Sequence, residues 1–301
     1  MKILITGSNG LLGQQLARIA ISRGLVVQRA DKERVHSNPE SFTPLDLTDR
    51  EAVLSTCSKL RPDTIINCAA LTDVDLCERE RELASSINAE AVHHLAEGSN
   101  AIGAHLVHIS TDYVFDGKKG LYSEEDDPNP INHYGLSKLN GERYVKSTAK
   151  SWSITRTSVL YGWGRETRPN FATWIIKGLR NQNRLDVVTD QFASPTLNTS
   201  LAKMLLELAD RRLQGTYHLA GKDRIDRFSM ALHIAEQFHL DKTLLSPTTS
   251  DNLSRGRWSA RRPIDSSLNV DKTTKQLESK PLGLDEALTE MKMTEEESLR
   301  I

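Results

Sequence analysis

The chain has 301 residues, and 39 Lys and Arg residues stand against 40 Asp and Glu residues, which leaves a formal net charge of -1. This balance excludes a globally basic nucleic-acid binder and gives no reason to expect attraction to a charged membrane surface. The length favours one large lobe and a smaller one, and the apolar runs are too short to span a bilayer. The three cysteines lack metal-site spacing, and the first predicted strand begins at Lys2 without room for a signal peptide. We therefore expect a cytoplasmic protein.

The first predicted strand leads into a turn that contains three glycines. Apolar residues 3–5 precede Gly7, Gly10 and Gly13, which have the spacing G-x-x-G-x-x-G, and an amphipathic helical pattern follows them. Backbone N–H groups at a helix N-terminus bind phosphate, and glycines let a phosphate approach closely. A glycine triplet alone is a weak signal, because turns use glycine for other reasons. Between a strand and a helix, it predicts a nucleotide-binding site.

The second predicted strand, over residues 25–31, ends at Asp31. An acidic residue about two dozen positions after the first glycine is placed to accept hydrogen bonds from an adenosine ribose. Arg29, Lys32 and Arg34 surround it and could instead hold a 2′-phosphate, and a solvated loop acid is the alternative without a ligand. The sequence therefore leaves open whether the cofactor is NADH or NADPH.

Three further apolar strands, over residues 64–70, 104–111 and 154–162, alternate with predicted helices. This alternation is typical of a doubly wound parallel sheet, the α/β architecture of Rossmann-type dinucleotide-binding domains. We therefore predict a Rossmann-type NAD(P)-binding domain over residues 1–162. Helices and polar loops predict a smaller C-terminal substrate-binding lobe over residues 163–301, of which some segments return to the first domain.

Tyr134 and Lys138 form the strongest candidate pair for catalysis. They occupy positions i and i+4 at the start of a predicted helix and lie on one face, where the ammonium would lower the pKa of the phenol. The same spacing also arises by chance in many helices. Thr111, at the carboxyl end of a predicted strand, offers a hydroxyl to the carbonyl oxygen that the tyrosine would protonate. Together with the glycine turn, these residues predict hydride transfer to a carbonyl group.

These motifs resemble those of the extended short-chain dehydrogenase/reductases and, within that family, those of the dTDP-4-dehydrorhamnose reductases. The resemblance extends from residue 1 to about residue 275. The matching stretches are residues 7–13, 67–70, 88, 110–117, 129–138, 156–158, 170–171, 190–196 and 262–268. As a set these motifs are specific, whereas each motif alone is not.

The resemblance implies a reductase that passes a hydride from NADPH or NADH to the 4-keto group of a dTDP-4-keto-6-deoxyhexose, giving dTDP-L-rhamnose. It also implies the roles of the central residues. Tyr134 protonates the oxyanion, Lys138 lowers the pKa of Tyr134 and holds the nicotinamide ribose, and Thr111 orients the carbonyl. Asn88 supports a proton relay behind Lys138.

The same resemblance implies two sets of binding residues. The cofactor set is Gly7, Asn9, Gly10, Leu11, Leu12, Gly13, Asp31, Asp46, Leu47, Cys68, Ala69, Ala70, Thr72, Asn88, Tyr134 and Lys138. The substrate set is Thr111, Asp112, Phe115, Trp163, Asn170, Gln191 and Arg262. No metal is predicted, because Gln15 stands where some relatives have a glutamate that bridges a dimer through a metal ion.

Two further positions bear on the expected reaction. Nucleotide-sugar dehydratases follow the threonine with Asp-Glu, whereas this chain has Asp112 and Tyr113 and so lacks the second carboxylate that water elimination needs. Bacterial relatives often have a tryptophan where this chain has Val159, with Trp163 nearby. The sequence therefore argues against dehydration and leaves the sugar specificity open.

A basic stretch near the C-terminus contains Arg255, Arg257, Arg261 and Arg262 around Trp258. Arginines beside an aromatic ring suit the diphosphate and the base of a dTDP group. The alternative is a solvated basic loop. Arg262 is the strongest member, because it alone falls on a motif of the family.

Two other functions stay open at the level of sequence. The regulatory subunit of methionine adenosyltransferase is similar in its motifs and needs to bind a cofactor without turnover, and other nucleotide-sugar reductases or epimerases share the same pattern. The intact set of Thr111, Tyr134 and Lys138 favours an enzyme. We expect a dTDP-sugar as the partner molecule, no nucleic acid or membrane, and a homodimer as the oligomeric form.

Overall fold

The computed structural model describes residues 1–33, 42–254 and 258–295. The strands are β1 (Lys2–Thr6), β2 (Val26–Asp31), β3 (Phe42–Pro44), β4 (Thr64–Asn67), β5 (His105–Thr111), β6 (Trp152–Thr157), β7 (Leu160–Tyr161), β8 (Leu185–Val188), β9 (Phe192–Ala193), β10 (Thr196–Leu197), β11 (Gly215–His218), β12 (Ile225–Asp226) and β13 (Leu245–Thr248). The helices are α1 (Leu11–Ser22), α2 (Arg50–Leu60), α3 (Val74–Arg79), α4 (Arg81–Ser85), α5 (Ala91–Ile102), α6 (His133–Thr148), α7 (Phe171–Arg180), α8 (Asn198–Asp210), α9 (Arg227–Gln237), α10 (Ser250–Ser254), α11 (Asp271–Gln276) and α12 (Leu284–Met293). A π-helical turn (Ser86–Glu90) precedes α5, and 3₁₀ turns cover Asp112–Val114 and Lys242–Leu244.

Seven of these strands form one parallel sheet in the order β11-β6-β5-β4-β1-β2-β3. Its first six strands have the order 3-2-1-4-5-6, which is that of dinucleotide-binding α/β domains. Helices cover both faces, with α1 and α8 on one and α2 and α5 on the other. The predicted doubly wound α/β fold is therefore confirmed. Across the described ranges, every helix falls short of the length and apolar character that a bilayer crossing needs.

Strand β1 is buried on both faces, which explains why its central residues are all apolar. Ile3 and Ile5 pack against α1 and α8, whereas Leu4 packs against the helices of the opposite face, and all three side chains are fully buried. The strand pairs with β2 on one side and with β4 on the other. Because the strand order reverses here, the carboxyl ends of β1 and β4 border a crevice in which α/β proteins bind ligands.

The C-terminal part of the chain builds a second core. Helices α7, α9 and α12 pack around the strand pair β8 and β13. Two elements from beyond residue 162 instead lie in the first lobe: α8 packs against α1, and β11 pairs with β6 at the edge of the sheet. The division of the chain at residue 162 stays a prediction about its domains.

The chain departs from the predicted elements after β6. The strand expected over residues 154–162 is two strands, β6 and β7, separated at Ser158 and Val159. Val159 has a φ of 42°, a left-handed conformation that is strained for a β-branched residue. Beyond it, β7 pairs with β10 instead of continuing in the large sheet. The kink thus directs the chain out of the sheet and into the C-terminal lobe.

Candidate active site

A cleft lies at the carboxyl ends of β1, β2 and β4 and encloses about 270 Å³. We call it the switch-point cleft, because the strand order reverses there. It is lined by Thr6, Gly7, Gly10, Ala30, Asp31, Lys32, Leu45, Asp46, Leu47, Thr48, Cys68, Ala69, Ala70, Ile87 and Ala91. The structure thus brings together eight predicted cofactor residues, namely Gly7, Gly10, Asp31, Asp46, Leu47, Cys68, Ala69 and Ala70.

Close backbone contacts shape the glycine turn at this cleft. Gly7 has a φ of 66°, and a Cβ atom there would lie 2.5 Å from the backbone nitrogen of Ala69. A Cβ atom at Gly13 would lie 2.3 Å from the carbonyl oxygen of Gly7. Gly10 lines the cleft, and its Cβ atom would meet only the Gly7 oxygen, at 3.3 Å. Gly7 and Gly13 are therefore required by the turn itself, whereas Gly10 keeps space open in the cleft.

Helix α1 begins at Leu11, directly behind the glycine turn. Its N-cap, Gly10, has no side chain with which to cap the helix, and the first turn carries no acidic residue. The side chain of Leu12 is buried in the core, so only the backbone of Leu12 can contact a ligand in the cleft. The N-terminal N–H groups and the positive end of the helix dipole thus meet no protein anion within this turn. This arrangement fits the pyrophosphate of a dinucleotide.

Asp31 ends β2 on the opposite wall of the cleft. Its carboxylate accepts the backbone N–H groups of Asn9 and Lys32, each at 2.9 Å, and this ties the glycine turn to the strand. Lys32 also forms an ion pair with Asp46, with 3.1 Å between Nζ and the carboxylate oxygen. Burial acts to raise the pKa of Asp46, but hydrogen bonds from Thr48 and Lys32 outweigh it and lower the pKa. The cleft wall therefore holds two carboxylates and one ammonium group.

Asn88 is fully buried in the π-helical turn before α5. Its amide oxygen accepts the N–H of Leu71 at 2.8 Å, and its amide nitrogen donates to the Leu71 carbonyl and to the Ser137 hydroxyl, both at 3.0 Å. These bonds use both ends of the amide and tie the segment after β4 to α6. Thr72, the neighbour of Leu71, is exposed.

Thr111, Tyr134 and Lys138 meet where β5 ends against α6. Thr111 is the last residue of β5, and its hydroxyl lies near enough to the Tyr134 hydroxyl to influence the pKa of that phenol. Lys138, one helical turn after Tyr134, donates from Nζ to a carbonyl oxygen of β5 at 2.7 Å. A Cβ atom at Gly135 would lie 2.1 Å from the carbonyl oxygen of Tyr113, so the glycine lets α6 approach closely. The predicted catalytic trio is therefore assembled in space.

Burial dominates the protonation of this trio. It raises the pKa of Tyr134 above the ordinary value for a phenol, although the nearby hydroxyl of Thr111 opposes the shift. Burial also lowers the pKa of Lys138 to about 8, against the attraction of Glu142. The shift of Tyr134 is opposite to the lowering predicted from its spacing to Lys138, because desolvation of the phenolate is the largest effect.

Asp112 is buried behind Thr111 and holds it in place. Its carboxylate accepts the hydroxyl of Thr111 at 3.0 Å, that of Ser158 at 2.8 Å and that of Ser266 at 2.5 Å. Burial raises the pKa of Asp112, while the three hydroxyl groups act to lower it. This predicted substrate residue therefore links the end of β5 to the kink after β6 and to the C-terminal part of the chain.

The second cleft lies between the C-terminal elements and the end of β5 and encloses about 420 Å³. We call it the outer cleft. It is lined by Tyr113, Pro169, Asn170, Phe171, Trp174, Asp186, Val187, Val188, Gln191, Arg227, Leu253, Trp258 and Arg262. Asn170, Gln191 and Arg262 are predicted substrate residues. The rings of Tyr113 and Tyr134 meet edge to face with 5.8 Å between centroids, so the outer cleft borders the catalytic trio.

Two predicted substrate residues lie away from the outer cleft. Phe115 is fully buried and stacks on Tyr122, with 4.2 Å between ring centroids. Trp163 packs against Phe238 and donates from Nε1 to the carbonyl oxygen of Met291 at 2.7 Å. Packing within the protein occupies both rings, and we therefore assign neither residue to the substrate site.

An ion pair holds Arg262 at the edge of the outer cleft. Its guanidinium binds the carboxylate of Asp75 at 2.7 Å and lies 5.3 Å from the centre of the Trp258 ring. The same carboxylate accepts the backbone N–H groups of Ser259 and Ala260. Asp75 therefore organises the backbone around Arg262.

The predicted basic residues Arg34, Arg255 and Arg257 lie outside the described residues.

Among the outer-cleft residues that sequence reasoning did not assign to the substrate are Tyr113, Trp174 and Arg227. Arg227 begins α9, and its guanidinium lies 5.1 Å from the centre of the Phe171 ring and near the Tyr113 hydroxyl, whose pKa its charge acts to lower. Trp174 keeps 40% of its surface exposed beside the cleft. Tyr113 lies two residues after Thr111 in the sequence, and this short separation could have identified it as a site residue. Arg227 and Trp174 come from separate helices, and no local pattern connects them.

The parallel sheet, the glycine turn and the trio of Thr111, Tyr134 and Lys138 together define an extended short-chain dehydrogenase/reductase, with one cleft shaped for a dinucleotide and a second beside it. The RmlD substrate binding domain family matches residues 1–296 of the chain. The chain belongs to this family.

Comparison with curated proteins identifies relatives along nearly the whole chain. It is 35% identical over 284 residues to the probable low-salt glycan biosynthesis reductase Agl14 of Haloferax volcanii, covering 92% of each chain. A dTDP-4-dehydrorhamnose reductase of Aggregatibacter actinomycetemcomitans is 31% identical over 95% of this chain and 97% of its own. Methionine adenosyltransferase 2 subunit beta of Xenopus tropicalis is 32% identical over 91% of this chain and 82% of its own.

Solved structures show the same fold. A dTDP-4-dehydrorhamnose reductase from Clostridium acetobutylicum superposes with a TM-score of 0.88 at 33% identity and full coverage of both chains. The enzyme of that name from Bacillus anthracis, solved in complex with NADP, also gives a TM-score of 0.88 at 33% identity, covering 97% of this chain and 98% of its own. The resemblance found in the sequence is thus confirmed.

Proposed function

We propose that this chain is an NAD(P)H-dependent oxidoreductase that reduces the 4-keto group of a dTDP-4-keto-6-deoxyhexose and so forms dTDP-L-rhamnose. The observation that carries the proposal is the position of Thr111, Tyr134 and Lys138 between the switch-point cleft and the outer cleft. Relatives named dTDP-4-dehydrorhamnose reductase, at 31% and 33% identity over most of the chain, support this substrate class.

The switch-point cleft fits a nicotinamide dinucleotide. Gly10 keeps open the space that a pyrophosphate needs before the N-terminus of α1, and Asp31 and Lys32 offer opposite charges to the adenosine end. When bound, the reduced nicotinamide would supply the hydride. The Bacillus anthracis relative, solved with NADP, supports NADPH, while the carboxylate of Asp31 suits the ribose of NADH.

Three side chains would handle the proton and the carbonyl oxygen. The raised pKa of Tyr134 keeps its hydroxyl protonated at neutral pH, as a proton donor requires. Thr111 donates its hydroxyl proton to Asp112 in the free protein, and we propose that on substrate binding it turns this donor to the same substrate oxygen. Lys138, with a pKa of about 8, would contact the nicotinamide ribose and return a proton to Tyr134 after reduction.

The outer cleft would hold the nucleotide part of the substrate. The guanidinium groups of Arg227 and Arg262 suit a diphosphate, because arginine combines positive charge with paired N–H donors. The aromatic side chains of Phe171 and Trp174 offer faces on which a base can stack. Tyr113 lies between this cleft and Tyr134, so a sugar bound there would reach the catalytic trio.

The test is an assay of the purified full chain with a dTDP-4-keto-6-deoxyhexose and either NADH or NADPH. We expect the absorbance of the reduced nicotinamide to fall and dTDP-L-rhamnose to form. Tyr134→Phe should lower kcat by at least about 100-fold while the cofactor Kd changes less than about twofold. Tyr144→Phe, an exposed tyrosine on the same helix, is the matched control. Absence of turnover with both cofactors would contradict the proposal.

The similarity to methionine adenosyltransferase 2 subunit beta supports a second candidate, a regulatory subunit that binds a dinucleotide without turnover. The same assay separates the two, because calorimetry would then show cofactor binding while no sugar is reduced. A reductase or epimerase acting on a different nucleotide sugar would instead turn over another substrate. The homodimer and the cytoplasmic location stay predictions, and sedimentation velocity would test the first.

A further inference from the structure

A chain of buried polar side chains runs beneath the switch-point cleft and ends at Lys138. Thr6 donates to Oδ1 of Asn67 at 2.7 Å, Nδ2 of Asn67 lies 3.2 Å from Nδ1 of His108, and Nε2 of His108 lies 3.5 Å from Nζ of Lys138. The register of β1, β4 and β5 places the first three side by side. All four residues are at most 2% exposed. The catalytic lysine is therefore connected to the sheet as well as to its helix.

The orientation of the Asn67 amide is fixed by a backbone donor. Oδ1 of Asn67 accepts the N–H of Ala69 at 3.1 Å in addition to the hydroxyl of Thr6. A backbone N–H can only donate, so the amide atom that faces it must be the oxygen. The amide nitrogen therefore points at His108, and Nδ1 of the imidazole must accept its hydrogen.

This orientation decides where the proton of His108 lies. Burial, and secondarily the charge of Lys138, lower the pKa of His108 well below its ordinary value, so the imidazole is neutral and carries one proton. Because Nδ1 accepts from Asn67, the proton sits on Nε2, the nitrogen that faces Lys138. A charged ammonium has no lone pair to receive this donor, whereas an uncharged amine has one.

We propose that His108 is a positioning residue that presents its Nε2–H to Nζ of Lys138 and thereby stabilises the uncharged amine. The amine keeps an N–H for the carbonyl oxygen of Ile109, to which Nζ donates at 2.7 Å. Gly141 lets α6 pack closely on the π-helical turn, because a Cβ atom there would lie 2.4 Å from the carbonyl oxygen of Asn88, and it lies beside Nε2 of His108, which that Cβ atom would meet at 3.4 Å.

The charge state of Lys138 also depends on the other ionisable groups around it. Glu142 on α6 favours the charged ammonium. Cys68 and Cys77 also lie near Lys138, but burial raises the pKa of Cys68 to about 12 and that of Cys77 to about 11, so both thiols are uncharged near neutral pH. Glu142 is itself bound by Arg156 of β6 at 2.8 Å, which weakens its attraction for the lysine. His108 and burial favour the uncharged amine and thus oppose the attraction of Glu142. The two charge states of Lys138 are therefore close in free energy near neutral pH. A residue that returns protons to Tyr134 needs such a balance, and this consequence rests on the proposed function.

The first experiment determines the tautomer of His108 in the full-length wild-type protein. Long-range proton–nitrogen NMR spectra of ¹⁵N-histidine-labelled protein distinguish the two neutral tautomers near neutral pH, and the spectrum of His108→Gln assigns the signal. We expect the Nε2–H tautomer. The Nδ1–H tautomer would overturn the proposal, because Nε2 would then accept from an ammonium.

The second experiment titrates Lys138 by NMR of labelled lysine side chains, assigned with Lys138→Arg. In His108→Gln the amide can turn its oxygen toward Nζ, and we expect the protonation equilibrium of Lys138 to shift by about tenfold toward the ammonium. Asn67→Asp should shift it in the same direction, because a carboxylate forces the proton of His108 onto Nδ1. An unchanged equilibrium in both variants would contradict the proposal.

The control is His105→Gln, the same substitution on the same strand. His105 is buried and binds the hydroxyls of Ser151 and Ser153, each at 2.8 Å, and we expect the titration of Lys138 to stay as in the wild type. Neither experiment requires substrate or turnover. An inactive protein with the expected tautomer would contradict the proposed function alone, and an active one with the Nδ1–H tautomer would contradict this inference alone.

Discussion

The switch-point cleft and the outer cleft are lined by different kinds of structural element. At the glycine turn the switch-point cleft consists of backbone and small side chains at the ends of neighbouring strands, with Gly7, Gly10 and Ala69 among its walls, and its charged side chains lie at the Asp31 end. The outer cleft consists of long side chains from separate helices and loops, with Trp174 and Arg227 among them. The first cleft follows from the strand order, whereas the second depends on individual side chains. Substitutions at the glycine turn should therefore affect dinucleotide binding through space and backbone, whereas substitutions in the outer cleft should affect sugar binding through charge and stacking.

The catalytic trio joins the two clefts at one short segment. Thr111 ends a strand of the sheet, and Tyr113, two residues later, lines the outer cleft. Asp112 between them is bound by Ser158 and Ser266, which lie far along the chain. The segment is therefore fixed from the sheet side and from the C-terminal side. Separate effects on the two clefts are expected only from substitutions that leave this segment intact.

The largest expected effect is that of Gly10→Ala on dinucleotide affinity. The added Cβ meets only one protein atom, the Gly7 oxygen at 3.3 Å, and otherwise occupies space in the switch-point cleft. We expect the Kd for NADPH and NADH to rise by about 100-fold, because a methyl group takes the place of a phosphate oxygen near the N-terminus of α1. Isothermal titration calorimetry measures this change.

Gly24→Ala provides the matched control for this prediction. Gly24 follows the other end of α1 with a φ of 74°, and a Cβ atom there would extend into open space, with nothing to contact within 4 Å. The positive φ should reduce the free energy of unfolding by about 1 kcal/mol without changing cofactor affinity. Equal loss of affinity in both variants would show that stability, and not space in the cleft, determines binding.

Arg227→Gln should act on the outer cleft alone. Removing the guanidinium takes one positive charge from the proposed diphosphate site and from the neighbourhood of the Tyr113 hydroxyl. We expect the KM for the dTDP-sugar to rise by about 30-fold with an unchanged cofactor Kd, which corresponds to about 2 kcal/mol for a charged hydrogen bond. Steady-state kinetics measure the change in KM. Arg180→Gln, at an exposed ion pair with Glu295, is the control, and an unchanged KM in Arg227→Gln would remove this residue from the site.

The contrast between the clefts also explains what the sequence can predict. The glycine turn and the pair Tyr134 and Lys138 are local patterns, and each is read within one strand–turn–helix unit or one helical turn. The sheet follows from alternating apolar strands and helices, which are also local. Arg227 and Trp174 enter the outer cleft only through the packing of α7 and α9, and no short spacing encodes that packing.

Two differences between the sequence-based expectations and the structure have the same origin. Motifs assign Phe115 and Trp163 to the substrate, yet packing within the protein occupies both side chains. Spacing predicts a lowered pKa for Tyr134, because it reveals a nearby charge but not the degree of burial that raises the pKa instead. The role of His108 is also invisible in the sequence, since only the register of β4 and β5 brings it beside Asn67. Three-dimensional burial is the information that local patterns lack.

Asp31→Ala tests the adenosine end of the switch-point cleft. Loss of the carboxylate removes a partner for a ribose hydroxyl and a repulsion toward a 2′-phosphate. We expect the ratio of NADH affinity to NADPH affinity to fall by about tenfold, with Lys32 left to attract the phosphate. Fluorescence titrations with each cofactor measure this ratio. An unchanged ratio would show that Asp31 serves only to bind the backbone of Asn9.

The smallest expected effect concerns the ion pair beneath the outer cleft. Burial acts to raise the pKa of Asp75, but Arg262 and the two backbone N–H groups outweigh it and lower the pKa. Because the folded pKa lies below the unfolded one, this pair stabilises the protein fully above the usual pKa of 3.8, and the stabilisation is lost as the pH falls through the folded pKa. In Asp75→Asn we therefore expect about 1 kcal/mol less stability at neutral pH, and a difference from the wild type that vanishes in acid.

The same variant should raise the KM for the dTDP-sugar by about threefold, because Arg262 loses the carboxylate that orients it and keeps its charge. Urea unfolding across the acid range and kinetics at neutral pH measure the two effects. Asp126→Asn, which breaks the more exposed pair with Lys119, should leave the KM unchanged. A threefold rise in both variants would mean that net charge acts on the substrate at long range. A rise in Asp75→Asn alone would show that individual side-chain contacts set the outer cleft, in contrast to the backbone-built cleft beside it.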